Sequence, residues 1–559
     1  MGMVLRIILL LITIYSFLSA TLLDNQINLQ LKDESREVKE LYSLNGNRPL
    51  WIGHAKNYHS LVDALNNPYF NYKGKVFYRD VINQYGYLLQ DGMDLNQNSV
   101  ELATLDIALT KSYIELTKFI VQSDVDWDMV QQKIKDLELQ DIKAVWEMVR
   151  KKVPSTKRLF NALAKNDIVS LFNSLTPLPK RHSDLIDALE IYRAIPTKLP
   201  RIPYTRNFSG LKFGDVDRKI AKIKERLAME GDYPKESGAI YSDIFDEKLK
   251  SAIYRYKERF NLEQNGIIDK VTIYYMNKPI SLLIDSIITN LDKLKVSPNK
   301  FPDEFIMVNI PDFTMDYYKD GISNLHMSAV VGRDKRPTPI FHSKMTYLEL
   351  NPNWNIPENL VRKDLIPTLI EEPDYMEKHN IHVFYGWKDK KEIKNLDINK
   401  LTRYLDEKNG HIPYRFVQYP GDDNALGRIK FMFPNKYSVY LHDTDNKSLF
   451  ERRYRVYSSG CMRISKPFQL LEALKPHLKS SDIAQIDRYR QTLKNKIMRF
   501  TKSLPVYTTY FTVFKRDGMV FFRKDIYGYD KMIQDATVKD DSYMDREESS
   551  ILNEEYSVY

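Results

Sequence analysis

Apolar residues recur three and four positions apart along most of the first 300 residues and alternate with polar ones thereafter. Between Glu101 and Val121 the positions Leu102, Leu105, Ile107, Leu109, Ile114 and Leu116 predict a buried helix. Asp126 to Val149 and Asp184 to Ile195 continue in the same manner, so 24–205 reads as a helical domain. Thr197 to Phe213, rich in proline and basic residues, reads as a linker. Between Leu211 and Pro279 two amphipathic stripes follow, one through Val216, Ile220, Ile223 and Leu227 and one through Phe245, Leu249, Ile253, Tyr256 and Phe260. Asp215 and Asp243 are placed to cap these helices, and Asp269, after the turn Gln264-Asn265-Gly266, to cap a short third one. Residues 211–280 therefore form a small three-helix unit.

After Phe305 the pattern alternates on both sides of Lys319-Asp320-Gly321, whose Asp-Gly pair signals a tight hairpin. Further strands are expected at Met345 to Leu350, Ile429 to Phe433 and Ser438 to His442, and two more around Arg516-Asp517-Gly518. Glu358 to Asp423 is polar with helical pieces and too long for an ordinary β connection, so 358–423 reads as an inserted lid in a mainly β unit spanning 300–535. The chain as a whole is multidomain α+β. At its start, Arg6 precedes an apolar run from Ile7 to Leu18, and Ser19-Ala20 offers a cleavage point, which implies export. Leu18 fits the small-residue rule poorly, so 1–23 is either a removed signal peptide or a single tilted membrane anchor formed by residues 4–23. The tail 540–559 is polar and acidic.

Composition narrows the function class. With 43% hydrophobic and 28% charged residues, Gly 20 and Pro 25, the chain is neither collagen-like, nor a disordered polymer, nor a multi-pass membrane protein. The net charge of +9 (83 minus 74) is spread along the chain, which suits an anionic neighbourhood but no nucleic-acid stripe. Mixed-sign runs such as Lys388 to Lys394 read as solvated faces, Val331-Gly332-Arg333 makes no phosphate loop, and His379 with His382 lacks a third metal ligand, so no metal or cofactor is implied. There is a single cysteine, Cys461, which excludes an internal disulfide and a thiolate cluster. In an exported chain a surviving lone thiol needs a reason.

That reason is readable in YSVYLHDTDNKSLFERRYRVYSSGCMRIS. Tyr437 to Leu441 alternates like a strand and delivers His442 at its end, and a polar loop returns the chain to Ser458-Ser459-Gly460-Cys461-Met462-Arg463. Gly460 lets backbone amides approach a carbonyl, and the Cys461 amide would help hold an oxyanion. A thiolate beside an imidazolium, its pKa lowered by the pairing, is the nucleophile of cysteine acyl transfer. Arg463 would add positive potential.

This constellation resembles the catalytic signature of the L,D-transpeptidases of the YkuD type: a histidine, a spacer of this size, then Ser-x-Gly-Cys-x-Arg. The blocks VNIPDFTMDYY, VVGRDKRPTPIF, NPNWNIP, PGDDNALGRIKFMFPN and LHDT are similar to the large periplasmic members of the YcbB type. LKFGD, IKERLAMEGDY and AIYRYKERFNLEQNGIID resemble peptidoglycan-binding domains, and RPLW at Arg48 to Trp51 fits the helical scaffold domain of such members. The resemblance implies Cys461 as nucleophile, His442 as its proton partner, the Asp443 carbonyl on the other imidazole nitrogen, Gly460 and Cys461 at the oxyanion hole and Arg463 ordering the loop. Many members carry histidine where this chain has Ser459, so a second histidine is absent. Tyr440, Trp354 and Asn355 would line the substrate groove, and the 358–423 insert would cap it. The implied partners are peptidoglycan stem peptides, a tetrapeptide donor and a diamino-acid acceptor, together with other cell-wall synthesis enzymes. The implied reaction is a 3→3 cross-link made through a thioester with release of D-alanine, and the implied inhibitors are carbapenems. An L,D-carboxypeptidase or another Cys-His hydrolase, and a non-catalytic wall-binding scaffold, are the alternatives.

Overall fold

The computed structural model describes residues 22–89, 98–235, 240–386, 391–394, 396–406 and 410–538. The expected leader lies outside these residues except at Leu22 and Leu23, of which Leu23 packs into the core of the first helical unit. The acidic tail also lies outside the described residues. Among those described, no helix is long and apolar enough to cross a membrane.

The N-terminal unit wraps shorter helices, among them Arg36–Ser43, Ala55–Asn66, Arg79–Tyr85 and Thr156–Ala164, around Ser99–Gln122. That central helix is buried on nearly every side, as its run of apolar residues requires. Its Asp106 carboxylate accepts the amides of Leu50, Trp51 and Ile52 at 2.9–3.0 Å, folding the Arg48–Trp51 segment onto the bundle. The expected helix through Val149 is shorter than its periodicity suggests. It stops at Asp136, a 3-10 turn ends at Gln140, and after Asp141 (φ 59°) the chain runs extended. The extended piece has a better partner elsewhere: Trp146 bridges Ile340, with Ile340 N donating to the Val145 carbonyl at 2.9 Å and Glu147 N to the Ile340 carbonyl at 2.8 Å. Trp146 is buried against the β unit together with Tyr529 and Ile310, so tertiary burial overrides local propensity.

The small unit has the three expected helices, Lys219–Met229, Glu247–Arg259 and Lys270–Met276, followed by a fourth, Ile280–Lys295. Asp269 caps the third as expected, accepting from Thr272 N at 2.7 Å. The other two caps are corrected. Asp246, not Asp243, caps the second helix through Leu249 N, while Asp215 binds the Lys212 amide in the turn before the first. A cap must sit at the residue where the backbone leaves extended geometry, and the stripe alone locates that residue only within a turn.

The unit is not separate in packing, for its core is continuous with scaffold residues such as Leu189 and with Val520 and Phe522 of the β unit. Arg259 is the joint. Buried to 3% side-chain exposure, it pairs with Glu230 at 3.2 Å and with Asp232, and its Nε donates to the Val520 carbonyl at 2.8 Å. Phe260 stacks on Phe522 at 5.2 Å.

The β unit has strands β1 (Glu304–Asn309), β2 (Thr314–Lys319), β3 (Ile322–Gly332), β4 (His342–Leu350), then β5 (Trp354–Asn355), β6 (Ile381–Tyr385) and β7 (Tyr414–Gln418), and onward β8 (Ile429–Met432), β9 (Leu441–His442), β10 (Val456–Ser458), β11 (Met462–Ile464), β12 (Lys496–Thr509), β13 (Val513–Arg516) and β14 (Met519–Phe522). The main sheet runs β10-β3-β11-β9-β8-β4-β12-β1-β2, and β2 also pairs with β3, so eight strands close on themselves with β10 branching off β3. Closure removes the open edges and encloses a core that includes Met315, Phe431, Leu441 and Met462. Both hairpins expected at Asp-Gly form, with Asp320, Gly321, Asp517 and Gly518 all at positive φ.

The insert between β4 and β8 builds a sheet of its own, β5-β7-β6, over a separate core of Ile366, Leu369, Phe416 and neighbours. It begins at β5, four residues before the expected boundary at Glu358.

Replacing Arg259 by Ala leaves the buried Asp232 without its ion-pair partner and Glu230 with Arg226 alone. The folded state should lose about 3–5 kcal/mol, read as a lower midpoint in denaturant melts, and Arg259→Lys, lacking the planar fork, should recover little of it.

Candidate active site

Two short parallel strands build the site. Met462 pairs with Leu441 and Arg463 with His442, and Met462 N donates to the Tyr440 carbonyl at 3.1 Å, which sets Cys461 beside Tyr440. Because strand residues alternate in direction, Leu441, Met462 and Ile464 enter the barrel core, while Tyr440, His442, Cys461 and Arg463 share the opposite face. All four line a cavity of about 430 Å3 under the insert. The four residues that the sequence grouped by proximity in the chain are thus grouped in space by pleat.

The strand carrying His442 is shorter than expected. Ser438 sits at φ 57°, and Asn435 holds residues 433–439 in a turn by donating to the Phe433 and Val439 carbonyls and accepting the Tyr437 amide, so regular pairing starts only at Leu441. The cysteine turn is equally tight. Ser458 Oγ accepts the Gly460 amide at 3.1 Å and donates to the Cys461 carbonyl at 2.5 Å, and Gly460 adopts φ 115°, a conformation that favours glycine. Thr338 Oγ1 donates to the Gly460 carbonyl at 2.9 Å. With the Gly460 amide engaged by Ser458, the Cys461 amide is the oxyanion donor this turn offers.

Electrostatics revise the expected ion pair. His442 is buried, and loss of hydration, with the nearby Arg463 guanidinium, pushes its imidazole down to about 3. Burial also pushes the Cys461 thiol above its ordinary range, although Tyr440, Arg463 and Lys430 favour the thiolate. Desolvation opposes charge on both groups, so at neutral pH the pair is thiol and neutral imidazole rather than thiolate and imidazolium. The Asp443 carbonyl favours the protonated ring, yet His442 Nδ1 makes no hydrogen bond of regular geometry, so the contact is a weak one in this arrangement. The Asp443 side chain serves the fold instead, accepting the Arg428 amide at 3.0 Å and pairing with Lys447.

Arg463 donates to Thr444 Oγ1 at 3.2 Å and leaves its Nε without a partner. Tyr440 lies edge-on to His442, ring centroids 5.5 Å apart, and its phenol neighbours both the Cys461 sulfur and the Trp354 side chain. Trp354 therefore faces the groove. Asn355 does not: the next residue along β5 points away and accepts from Arg415 Nη1 at 3.2 Å. Ser459 Oγ accepts from Arg333 Nη2 at 3.3 Å and Arg336 Nη1 at 3.0 Å. Sequence reading assigned no role to Thr338, Arg333, Arg336 or Asp364, because their neighbours lie more than 25 residues away in the chain. His379 and His382 face different acids, Asp423 and Glu392. Among the described residues no group of three His, Cys, Asp or Glu could hold a metal ion.

A neutral pair has a kinetic signature. Alkylation of Cys461 by iodoacetamide should rise with pH from 6 through 9, because the reactive thiolate forms only as the raised thiol pKa is approached. An acid plateau between pH 5 and 7 would mean a preformed ion pair.

Comparison with known proteins bears on the same residues. The family model described as L,D-transpeptidase catalytic domain matches residues 303–483, and one described as Scaffold domain matches residues 36–189. A Haemophilus influenzae protein named "Putative L,D-transpeptidase" is 32% identical over 279 residues, which are 48% of this chain and 53% of that protein. The chain thus spans about half the length of this curated relative. A solved L,D-transpeptidase fragment from Xylanimonas cellulosilytica (residues 123–326) is 9% identical and covers 55% of this chain and 100% of its own, with a TM-score of 0.18, a superposition too loose to bear on the fold. The part of the chain that carries His442 and Cys461, residues 303–483, thus matches the L,D-transpeptidase catalytic domain of the YkuD type.

Proposed function

We propose that the protein is a periplasmic enzyme that joins peptidoglycan stem peptides by 3→3 cross-links through an acyl-enzyme on Cys461. The observation that carries this reading is the shared face of Tyr440, His442, Cys461 and Arg463 under the inserted lid. As Cys461 Sγ attacks the carbonyl of residue three of a donor tetrapeptide, its proton passes to His442. The new oxyanion lies toward the Cys461 amide. The carbon–nitrogen bond to D-alanine breaks, His442 returns the proton to the leaving amine, and a thioester remains. The side-chain amine of another stem's third residue then attacks the thioester, gives up its proton through His442, and the thiol is restored.

The lid supports the reading, since acyl transfer to an amine must exclude water as competitor. The small helical unit would grip the wall, and the apolar run from Ile7 to Leu18 supports export, whether as a cleaved signal or an anchor. The tetrapeptide donor requires a D,D-carboxypeptidase acting upstream.

Incubation of the purified protein with disaccharide-tetrapeptide, followed by mass spectrometry, tests the reaction. Cross-linked dimers with free D-alanine are expected. Tripeptide alone would mean a carboxypeptidase, and no turnover would mean a wall-binding scaffold.

A further inference from the structure

The loop from β3 to β4 carries two arginines to the mouth of the groove. Arg336 grips the lid residue Asp364 in a two-pronged contact, Nη1 to Oδ2 at 2.6 Å and Nη2 to Oδ1 at 3.1 Å, and Arg333 Nη2 stands 3.7 Å from the same Oδ2. Both guanidiniums also donate to Ser459 Oγ. The loop is held rigidly. Arg336 N donates to the Arg333 carbonyl at 2.8 Å, Arg333 N to the Ser458 carbonyl at 3.0 Å, and Gly332 N to Thr338 Oγ1 at 2.8 Å. Gly332 admits no side chain, since a Cβ there would stand 2.2 Å from the Arg336 carbonyl oxygen. Planar guanidinium forks on a fixed backbone are suited to a carboxylate, and little further ordering is needed to bind one.

Asp364 is the less secured member. It is 46% exposed against 18% for Arg336, and it lies in the π-helical turn Val361–Leu365 of the lid. Its neighbour Lys363 pairs with Asp141 of the scaffold, so the same turn touches both the arginines and the N-terminal unit. One carboxylate facing two guanidiniums leaves surplus positive charge beside Ser459. A single residue, Gly460, separates Ser459 from Cys461 in the tight turn, so the arginines stand beside the nucleophile, within reach of the carboxylates that flank the scissile carbonyl of a stem peptide.

We propose that Arg333 and Arg336 form a carboxylate-binding site for the donor stem peptide, and that Asp364 of the lid occupies this site as an internal substitute which substrate displaces. The proposal deepens the function given above and rests on it for the identity of the ligand. It makes the site selective for a free carboxylate over a carboxamide at one position of the stem, and it couples substrate entry to release of the lid turn.

Binding separates this site from the reaction. Titration calorimetry of full-length protein carrying Cys461→Ala would use disaccharide-tetrapeptide and analogues in which each stem carboxylate in turn is a carboxamide. Arg336→Gln is expected to weaken binding of the carboxylate form about tenfold or more, and Arg336→Lys, which keeps charge without the fork, to fall between. Asp364→Asn should tighten binding several-fold. One carboxamide analogue should lose affinity in the parent, and the difference should vanish in Arg336→Gln. Equal affinity for all analogues, discrimination that survives Arg336→Gln, weaker binding with Asp364→Asn, or no binding of any stem would each overturn the proposal. If discrimination holds while the intact-cysteine protein makes neither dimer nor tripeptide, the site stands and the reaction assigned above is wrong.

Discussion

The Thr338 hydroxyl is the constraint from which the site's geometry follows. It accepts the Gly332 amide and donates to the Gly460 carbonyl, and Tyr527 closes the knot by donating to the Gly332 carbonyl and accepting the Thr338 amide at 3.1 Å. Two loops more than a hundred residues apart, one with the arginines and one with the cysteine, are thereby held in a single frame. The frame is anchored below by the closed sheet and at the side by Trp146, which packs with Tyr529 at the junction between scaffold and β unit. A scaffold that reaches this close to the cysteine turn does more than tether it: it fixes the wall against which the arginine loop rests.

Inside this frame burial and charge compete, and burial decides the protonation state. A thiol and an imidazole on adjacent parallel strands share one face of the sheet, yet both are held neutral because the surroundings supply too little compensation for two charges. The positive groups around them, Arg463 and Lys430, favour the thiolate and disfavour the imidazolium, so they bias the pair toward negative charge at sulfur without creating an ion pair. The site is arranged for charge that develops during attack rather than for charge stored beforehand.

The cysteine turn was legible in the sequence because its chemistry is local. Ser458, Gly460, Cys461 and Arg463 are consecutive or nearly so, and strand alternation alone places Arg463 on the cysteine's face. The Asp-Gly hairpins were legible for the same reason. What escaped reading depends on partners distant in the chain. The stripe through Val149 ends early because Trp146 finds Ile340, and Asn355 leaves the groove because β5 pairs with β7 in one register and not the next. Arg259 reads as an ordinary helix cation until the hairpin of β13 and β14 packs over it. Likewise, nothing in the periodicity of the insert marks Asp364 as the residue that meets the arginines. The charge balance of a buried pair is also absent from a motif, which names the groups but not the water removed from them.

The most direct test of the central claim is to look for the acyl-enzyme itself. Rapid-quench intact-mass measurement of the protein mixed with disaccharide-tetrapeptide, without acceptor, should show a transient adduct equal to the substrate less alanine, located on Cys461 by peptide mapping and absent in Cys461→Ala. An adduct on another residue, an adduct that retains the alanine, or tripeptide formation by Cys461→Ala would contradict the account.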